Sequence, residues 1–580
     1  MSVNTRTTTG PTDDPADTAS PKPPKRGLSF STALMWSASG VLVVLVVLPL
    51  GWLLLGSFLS DEDQLTFANY LQVIQEPGLY QALINTLLIG FGACVLSLVM
   101  GVPLAWFISR TNLPGRALLL VMVAVAYMTP AYIGAIAYTM LAGPRAGWLN
   151  QLVVGVTGME SGPFNIFSLG GITLVTTFNV FPYVVYLTAT ALDSVDSSLE
   201  QSARILGAKR WRILATVTWP LVTPALVGST LLVFIHSISL FGSHALLGLP
   251  VQVYTLPTRI YSMFSFPPDY GGASALAMAL VLLTVLALAL QRWLVNRKSY
   301  VTVGGKGSQP ERMDLGKWKW PSFLACHSVL FFAVYLPMGV LAWVSVSRAW
   351  AHGFGLDNLT LANYSYVLFD LGLTQRAFTN SIILGLVAAT ICCFLGAVIA
   401  YITRRARPPG AASLDYLGMI PLGLPGIVLA VGLVMAWIAL PFPVYGTMLI
   451  LLIAYLTRFI PLAVRSADSA IQQQDPALEE AAWISGASKA RSLADITVPL
   501  MKGGLLAGWS LVFIQSVQEL SATILLFSAG TETVAVAIYQ RAEEGHFEHV
   551  AALSMLMVVV SLGLLALARR LAGGKVGKIV

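Results

Sequence analysis

Uncharged apolar stretches longer than a bilayer is thick dominate this sequence. Residues 37–59, 82–109 and 117–143 contain no Asp, Glu, Lys or Arg. Each exceeds the roughly 20 residues that carry a helix across the hydrocarbon core. Lipid offers the backbone no water, so such a stretch must satisfy its own hydrogen bonds, and a helix does this within one segment. Of all residues, 56% are hydrophobic and 11% charged, against about 25% charged in a soluble domain. A water-soluble helical core is excluded, because the polar faces needed to cover these runs are missing.

The pattern recurs about twelve times, near residues 32–58, 83–108, 117–140, 169–192, 220–245, 273–292, 323–347, 377–402, 413–439, 446–466, 500–526 and 549–568. The expected fold is an all-α membrane protein with two parallel six-helix repeats. Residues 1–31, rich in Thr, Pro and Asp, form a polar tail that is disordered by composition. The first apolar run is too long for the core of a signal peptide and is taken as the first span. The polar, Gly-rich segment 293–322 is the expected linker between a first repeat, 32–292, and a second, 323–570, with a short tail at 571–580. With both termini inside, of the 34 Lys and Arg only Arg145, Arg259, Arg348, Arg376 and Arg541 fall outside. That bias is the positive-inside rule. The net charge of +7 therefore reports orientation in a membrane, and nucleic acid is not an expected partner.

Two halves are visible by eye. Phe67-Ala68-Asn69-Tyr70 recurs as Leu361-Ala362-Asn363-Tyr364, and Asn85-Thr86 recurs as Asn380-Ser381. Pro130 matches Pro425, Phe181-Pro182 matches Ile460-Pro461, and Leu232-Val233-Phe234-Ile235 matches Leu511-Val512-Phe513-Ile514. The offset drops between Pro130 and Phe181, so the first half carries an insertion, placed at residues 143–170. Six spans return a chain to its starting side, so the halves share orientation about an axis along the membrane normal. Asn85 and Asn380 are expected to cap helix starts.

The most informative loops lie at equivalent positions. Leu199-Glu200-Gln201-Ser202-Ala203-Arg204-Ile205-Leu206-Gly207-Ala208 leads to Thr218-Trp219-Pro220. Leu478-Glu479-Glu480-Ala481-Ala482-Trp483-Ile484-Ser485-Gly486-Ala487 leads to Thr497-Val498-Pro499. Each reads as a short helix, a glycine turn, a second helix and a proline that opens the next span. Both resemble the EAA loop of ABC importer permeases, E-A-A-x-x-x-G-x9-I-x-L-P. The second copy keeps Glu480, Ala481, Ala482 and Gly486. The first has Gln201 and Ser202 at the leading positions, with Glu200 adjacent, and retains Ala203 and Gly207. The resemblance implies that these loops dock an ATPase subunit, with the degenerate first copy contributing less.

No G-x-x-x-x-G-K-[ST] phosphate loop is present, so ATP and Mg are expected on a partner ATPase dimer, and the chain is not expected to be an enzyme or to hold a cofactor. Leu240 to Pro250, Glu519 to Leu526 and Val534 to Tyr539 resemble fused iron(III)-type permeases of the type I importers. That resemblance implies an inner-membrane permease, a periplasmic binding protein as partner, and iron(III) as cargo. Thiamine, polyamine and aminoethylphosphonate permeases share these features. A secondary transporter driven by an ion gradient is the rival class, and it leaves the paired loops unexplained.

Glu519 is an ionisable residue in the expected eleventh span, a functional candidate by position, with Gln515 and Ser516 beside it. His236 aligns with Gln515. Pro130 and Pro425 interrupt apolar runs at corresponding places, a pattern that points to a translocation pathway. Cys94, Cys326, Cys392 and Cys393 lie in apolar runs without metal-ligand spacing, so no metal site is expected.

Overall fold

The computed structural model describes residues 30–60, 64–296 and 312–571. Residues 1–29, 297–311 and 572–580, which contain most of both expected tails and the middle of the expected linker, lie outside the described residues.

Among the described residues the regular elements are all helical. The first half contains α1 (Ser31–Ser57), α2 (Pro77–Arg110), α3 (Arg116–Met128), α4 (Ala131–Ala142), α5 (Trp148–Thr157), α6 (Leu169–Ser194), α7 (Ser197–Ile205), α8 (Arg210–Ser239) and α9 (Tyr270–Val295). The second contains α10 (Gly316–Ser345), α11 (Gly372–Ala406), α12 (Ala411–Gly423), α13 (Gly426–Ala439), α14 (Met448–Gln472), α15 (Ala477–Ile484), α16 (Leu493–Val517) and α17 (Phe547–Leu564). Among the described residues ten helices are long and apolar enough to cross a membrane, and up to 12 spans result if each of the bent pairs α3–α4 and α12–α13 counts as one.

Each half is built on three mutually packed helices, α2, α6 and α8 in the first and α11, α14 and α16 in the second. Small residues set the closest approach in both. A Cβ on Gly101 would lie 2.8 Å from Cβ of Val184, and one on the equivalent Gly396 would lie 2.7 Å from the Ala463 backbone. Without a hydrophobic force between helices in lipid, such close contacts carry the association.

The halves also exchange their first helices. α1 packs on α13 of the second half, and α10 packs on α4 of the first. Thr457 Oγ1 donates to Leu45 O at 2.9 Å, and Tyr138 Oη donates to Phe332 O at 2.6 Å. Each bond ties one half to the leading helix of the other.

Several expectations are corrected. The runs at 117–140 and 413–439 are not single spans: they bend by 98° and 111°. Pro130 and Pro425 sit at the breaks in extended backbone, with ψ near 142° and 140°. Proline has no N–H to continue a helix and disfavours helical backbone in the residue before it. The runs at 220–245 and 500–526 stop early, at Ser239 and Val517. α10 begins at Gly316, inside the expected linker.

Asn85 and Asn380 do not cap helix starts, since both lie well inside α2 and α11. Asn85 Nδ2 donates to Tyr254 O at 2.9 Å, and Asn380 Nδ2 donates to Gly530 O and Glu532 O at 3.0 and 2.9 Å. Their neighbours accept from the same segments, Thr86 from Leu256 N and Ser381 from Val534 N. Side-chain amides therefore hold non-helical backbone whose own groups would otherwise be unsatisfied.

Candidate functional site

Two features combine residues from equivalent positions of the halves. The first is a cavity of about 110 Å³ at the α3–α4 break, lined by residues from both halves. The break frees backbone carbonyls that the protein must satisfy internally. Asn179 Nδ2 donates to Thr129 O at 2.9 Å, and Gln518 Nε2 from the second half donates to Met128 O at 2.8 Å.

The repeat register places lining residues in pairs: Asn179 with Arg458, His236 with Gln515, and Leu240 with Glu519. Both charges of these pairs come from the second half. Arg458 Nε lies 2.8 Å from Glu519 Oε2. Glu519 is only 6% exposed, and its other oxygen accepts from Ala522 N at 2.7 Å. Glu519 is thus not on a spanning helix. It follows the end of α16, and its carboxylate satisfies backbone where the helix stops. Tyr183 lies beside His236, with ring centroids 5.3 Å apart.

Of the pathway residues expected from the sequence, Glu519, Gln515, His236 and Pro130 line this cavity. Ser516 is buried but outside the lining. Pro425 marks the second break, where a Cβ on the next residue, Gly426, would collide with the Arg458 guanidinium and with Ser521. The second break thus packs against the cation of the cavity. Arg458 itself was missed. The rule that selected Glu519, an ionisable residue in an apolar run, applies equally to it.

The second feature is the pair of loops. Glu200 Oε1 accepts from Thr218 Oγ1 at 2.7 Å, and its Oε2 lies 3.2 Å from Arg110 Nη1. Glu479 Oε1 accepts from Thr497 Oγ1 at 2.8 Å and lies 3.4 Å from Arg405 Nε. The same Glu–Thr–Arg set therefore pins α7 to the end of α2 and α15 to the end of α11. Arg110, Arg405, Thr218 and Thr497 were also missed, although they recur at the repeat offsets.

Gly207 and Gly486 have left-handed backbone, with φ of 82° and 89°. The following amides close the turns: Ala208 N donates to Ala203 O and Ala487 N to Ala482 O, both at 3.0 Å. The glycine amides add a second bond to each turn, Gly207 N to Arg204 O and Gly486 N to Trp483 O, both at 3.0 Å, which completes the glycine-dependent helix stop known as the Schellman motif. Gln201, Glu480 and Ala481 are exposed, whereas Ala482 and Ala203 are half-buried. Ile205 is 86% exposed and Ile484 88%, so each loop presents an apolar tip. The degenerate first loop folds like the second.

Among the described residues no three of His, Cys, Asp or Glu converge to hold a metal ion. The cysteines are unpaired thiols.

The profile of a family described as "Binding-protein-dependent transport system inner membrane component" matches residues 97–300 and 381–574, one match in each half. Over 550 residues the chain is 26% identical to the ferric transport system permease protein FbpB of Actinobacillus pleuropneumoniae, covering 93% of this chain and 78% of that protein. It is 27% identical over 482 residues to the putative ferric transport system permease protein FbpB 1 of Haemophilus influenzae, covering 82% and 74%. A stretch of 220 residues, 37% of the chain, is 30% identical to the molybdenum transport system permease protein ModB of Escherichia coli and covers 93% of it.

Proposed function

The chain belongs to the family of binding-protein-dependent transport system inner membrane components, and on that premise we propose that it is the permease through which a bacterial ABC importer moves iron(III) into the cytoplasm. Membership makes it a multi-pass membrane protein and the transmembrane component of an ABC importer, without an ATPase domain of its own. ATP and Mg then belong to a separate ATPase, and substrate arrives from a periplasmic binding protein.

The observation that carries the reading is the pair of equivalently pinned loops. Glu200 and Glu479 anchor them, the turns at Gly207 and Gly486 shape them, and the exposed apolar tips form a two-site surface for an ATPase dimer on the cytoplasmic face. With the loops cytoplasmic, both termini are cytoplasmic too. Closure of the ATPase dimer would move both loops together, and the rigid three-helix cores would carry that motion to the cavity between the halves. Glu519, Arg458, His236 and Gln515 line the pathway there, with Pro130 and Pro425 as the breaks that open it.

Iron(III) is favoured because similarity to the ferric permeases runs through both halves, whereas the molybdenum permease matches one stretch of single-half length. A second reading, an oxyanion cargo, is favoured by Arg458, a fixed cation in the cavity. Proteoliposomes containing the permease, its ATPase and its binding protein separate the two. ATP-dependent accumulation of radioactive iron(III), uncompeted by molybdate, is expected. Accumulation of molybdate without iron would overturn the iron assignment, and accumulation driven by an ion gradient without ATP would overturn the importer mechanism.

A further inference from the structure

Beside its Glu–Thr–Arg anchor, the first loop carries a cavity of about 280 Å³. Four guanidiniums line it, from Arg110, Arg204, Arg210 and Arg312, together with Glu200 and Asp314. The volume is close to the lower end for small-molecule sites, roughly 300 Å³.

Both carboxylates are already engaged. Glu200 is held by Thr218 and Arg110. Asp314 Oδ1 accepts from Asn112 Nδ2 at 2.6 Å and from Gly316 N at 3.1 Å. Arg110 is only 3% exposed, and its Nε is buried without a hydrogen-bond partner. Arg210 and Arg312 have no carboxylate within ion-pair distance among the described residues. A buried guanidinium with an unsatisfied N–H, beside the guanidiniums of Arg210 and Arg312, is the arrangement that an oxyanion completes through charge-assisted hydrogen bonds.

The linker builds the site. Met313 pairs with Thr111 as an isolated parallel bridge, its N–H donating to Arg110 O at 2.8 Å while its carbonyl accepts from Asn112 N at 3.1 Å. That bridge brings Arg312 to the loop. In the second half Trp483 stands where Arg204 stands in the first.

We propose that this cavity is a binding site for a phosphate-class oxyanion, gripped at once by the end of α2, the first loop and the linker. Such a ligand would clamp the first loop to the linker and leave the second untouched, making one docking surface responsive to a ligand that is not the cargo. The chemistry is that of a phosphate group, free or carried by a lipid headgroup at the membrane surface, where basic clusters attract anionic lipids.

The test uses the full-length permease in neutral detergent, so it does not depend on identifying an ATPase or a cargo. Inorganic phosphate and glycerophosphoglycerol, the soluble headgroup of phosphatidylglycerol, are titrated by calorimetry, and native mass spectrometry reads co-purified phospholipid. Saturable one-to-one binding of at least one probe is expected. Phosphate alone identifies a free oxyanion as the source, and headgroup binding with retained phosphatidylglycerol identifies lipid. The variant R210Q/R312Q should weaken binding at least tenfold, while R212Q, on the same loop but outside the cavity lining, should bind as the parent does. Both variants alter exposed side chains, and an unchanged melting temperature verifies folding. Failure of both probes to saturate, undiminished binding by R210Q/R312Q, or equal weakening by R212Q would overturn the site.

Discussion

Arg458 Nε sits 2.8 Å from Glu519 Oε2 in a cavity whose equivalent first-half positions are Asn179 and Leu240. The pair neutralises two charges that neither lipid nor a small cavity would tolerate singly. Breaking one side of a buried pair costs roughly 3–5 kcal/mol, because the partner is left uncompensated. The cost here belongs at the low end of that range, since the Arg458 side chain keeps 23% exposure. Glu519→Gln and Arg458→Gln should each lower the melting temperature and transport, and the double variant should recover at least half of the lost stability. A double variant as unstable as the sum of the single variants would mean that the two residues act independently.

The loop anchors separate folding from docking. Glu479 and Arg405 have side chains 7% and 13% exposed, while Glu200 is 17% exposed beside Arg110 at 3%. Glu479→Gln should therefore destabilise the permease and reduce co-purification of the ATPase, with Glu200→Gln acting the same way more mildly. Glu480→Gln alters an exposed side chain, so stability should stay within about 0.5 kcal/mol while ATPase co-purification falls. Thermal melts and pull-downs on the same preparations read both quantities. A stability loss for Glu480→Gln equal to that for Glu479→Gln would place the anchor on the wrong residue.

Much of this was legible in the sequence, and the failures have physical causes. Apolar runs located the helices long enough to span a membrane among the described residues, because lipid imposes one solution on the backbone. Hydropathy could not distinguish a straight span from the bent pairs at Pro130 and Pro425, since both are apolar throughout. The paired loops, with Glu200 and Glu479 in them, were visible as a motif, but their partners Arg110, Arg405, Thr218 and Thr497 were not, because those contacts join the loops to residues outside the motif. Asn85 and Asn380 look like caps in a linear reading. Only the fold brings Tyr254 and Glu532 to them. Exchange of α1 and α10 between halves leaves no mark on local sequence.

The two glycine turns should respond alike. The degenerate sequence of the first loop implied a milder effect there, yet φ is 82° at Gly207 and 89° at Gly486, and nothing lies within 4 Å of a Cβ at either position. Valine at either position meets backbone strain and not a clash. Left-handed backbone costs an L-residue roughly 1–2 kcal/mol, and a branched side chain raises that cost. Gly207→Val and Gly486→Val should reduce ATPase co-purification to comparable extents without lowering permease yield. Full binding by both would deny the turns any role in docking.

The linker divides into a part that can be cut and a part that cannot. Exchange of α1 and α10 means that each half grips a helix of the other, so covalent continuity is not what holds the halves together. Cutting the chain within residues 297–311 and co-expressing the pieces should yield halves that co-purify through one tag and support transport. Residues 312–316 are different. Met313 is bonded to Arg110 and Asn112, and Asp314 bonds to Asn112 and Gly316. Hydrogen bonds from the Gly316 amide and Asn112 hold the Asp314 carboxyl below its ordinary value of 3.8. A depressed acid pKa means that this contribution is complete above the ordinary value and is lost only as pH falls through the lowered one. The attachment should therefore be insensitive to pH from neutrality down to about 4. Asp314→Ala should release the segment even at neutral pH, read as faster trypsin cleavage after Arg312. Halves of the cut chain that separate during purification would show that the exchanged helices do not suffice to join them, and an Asp314→Ala protein cleaved no faster than the parent would remove Asp314 from the attachment.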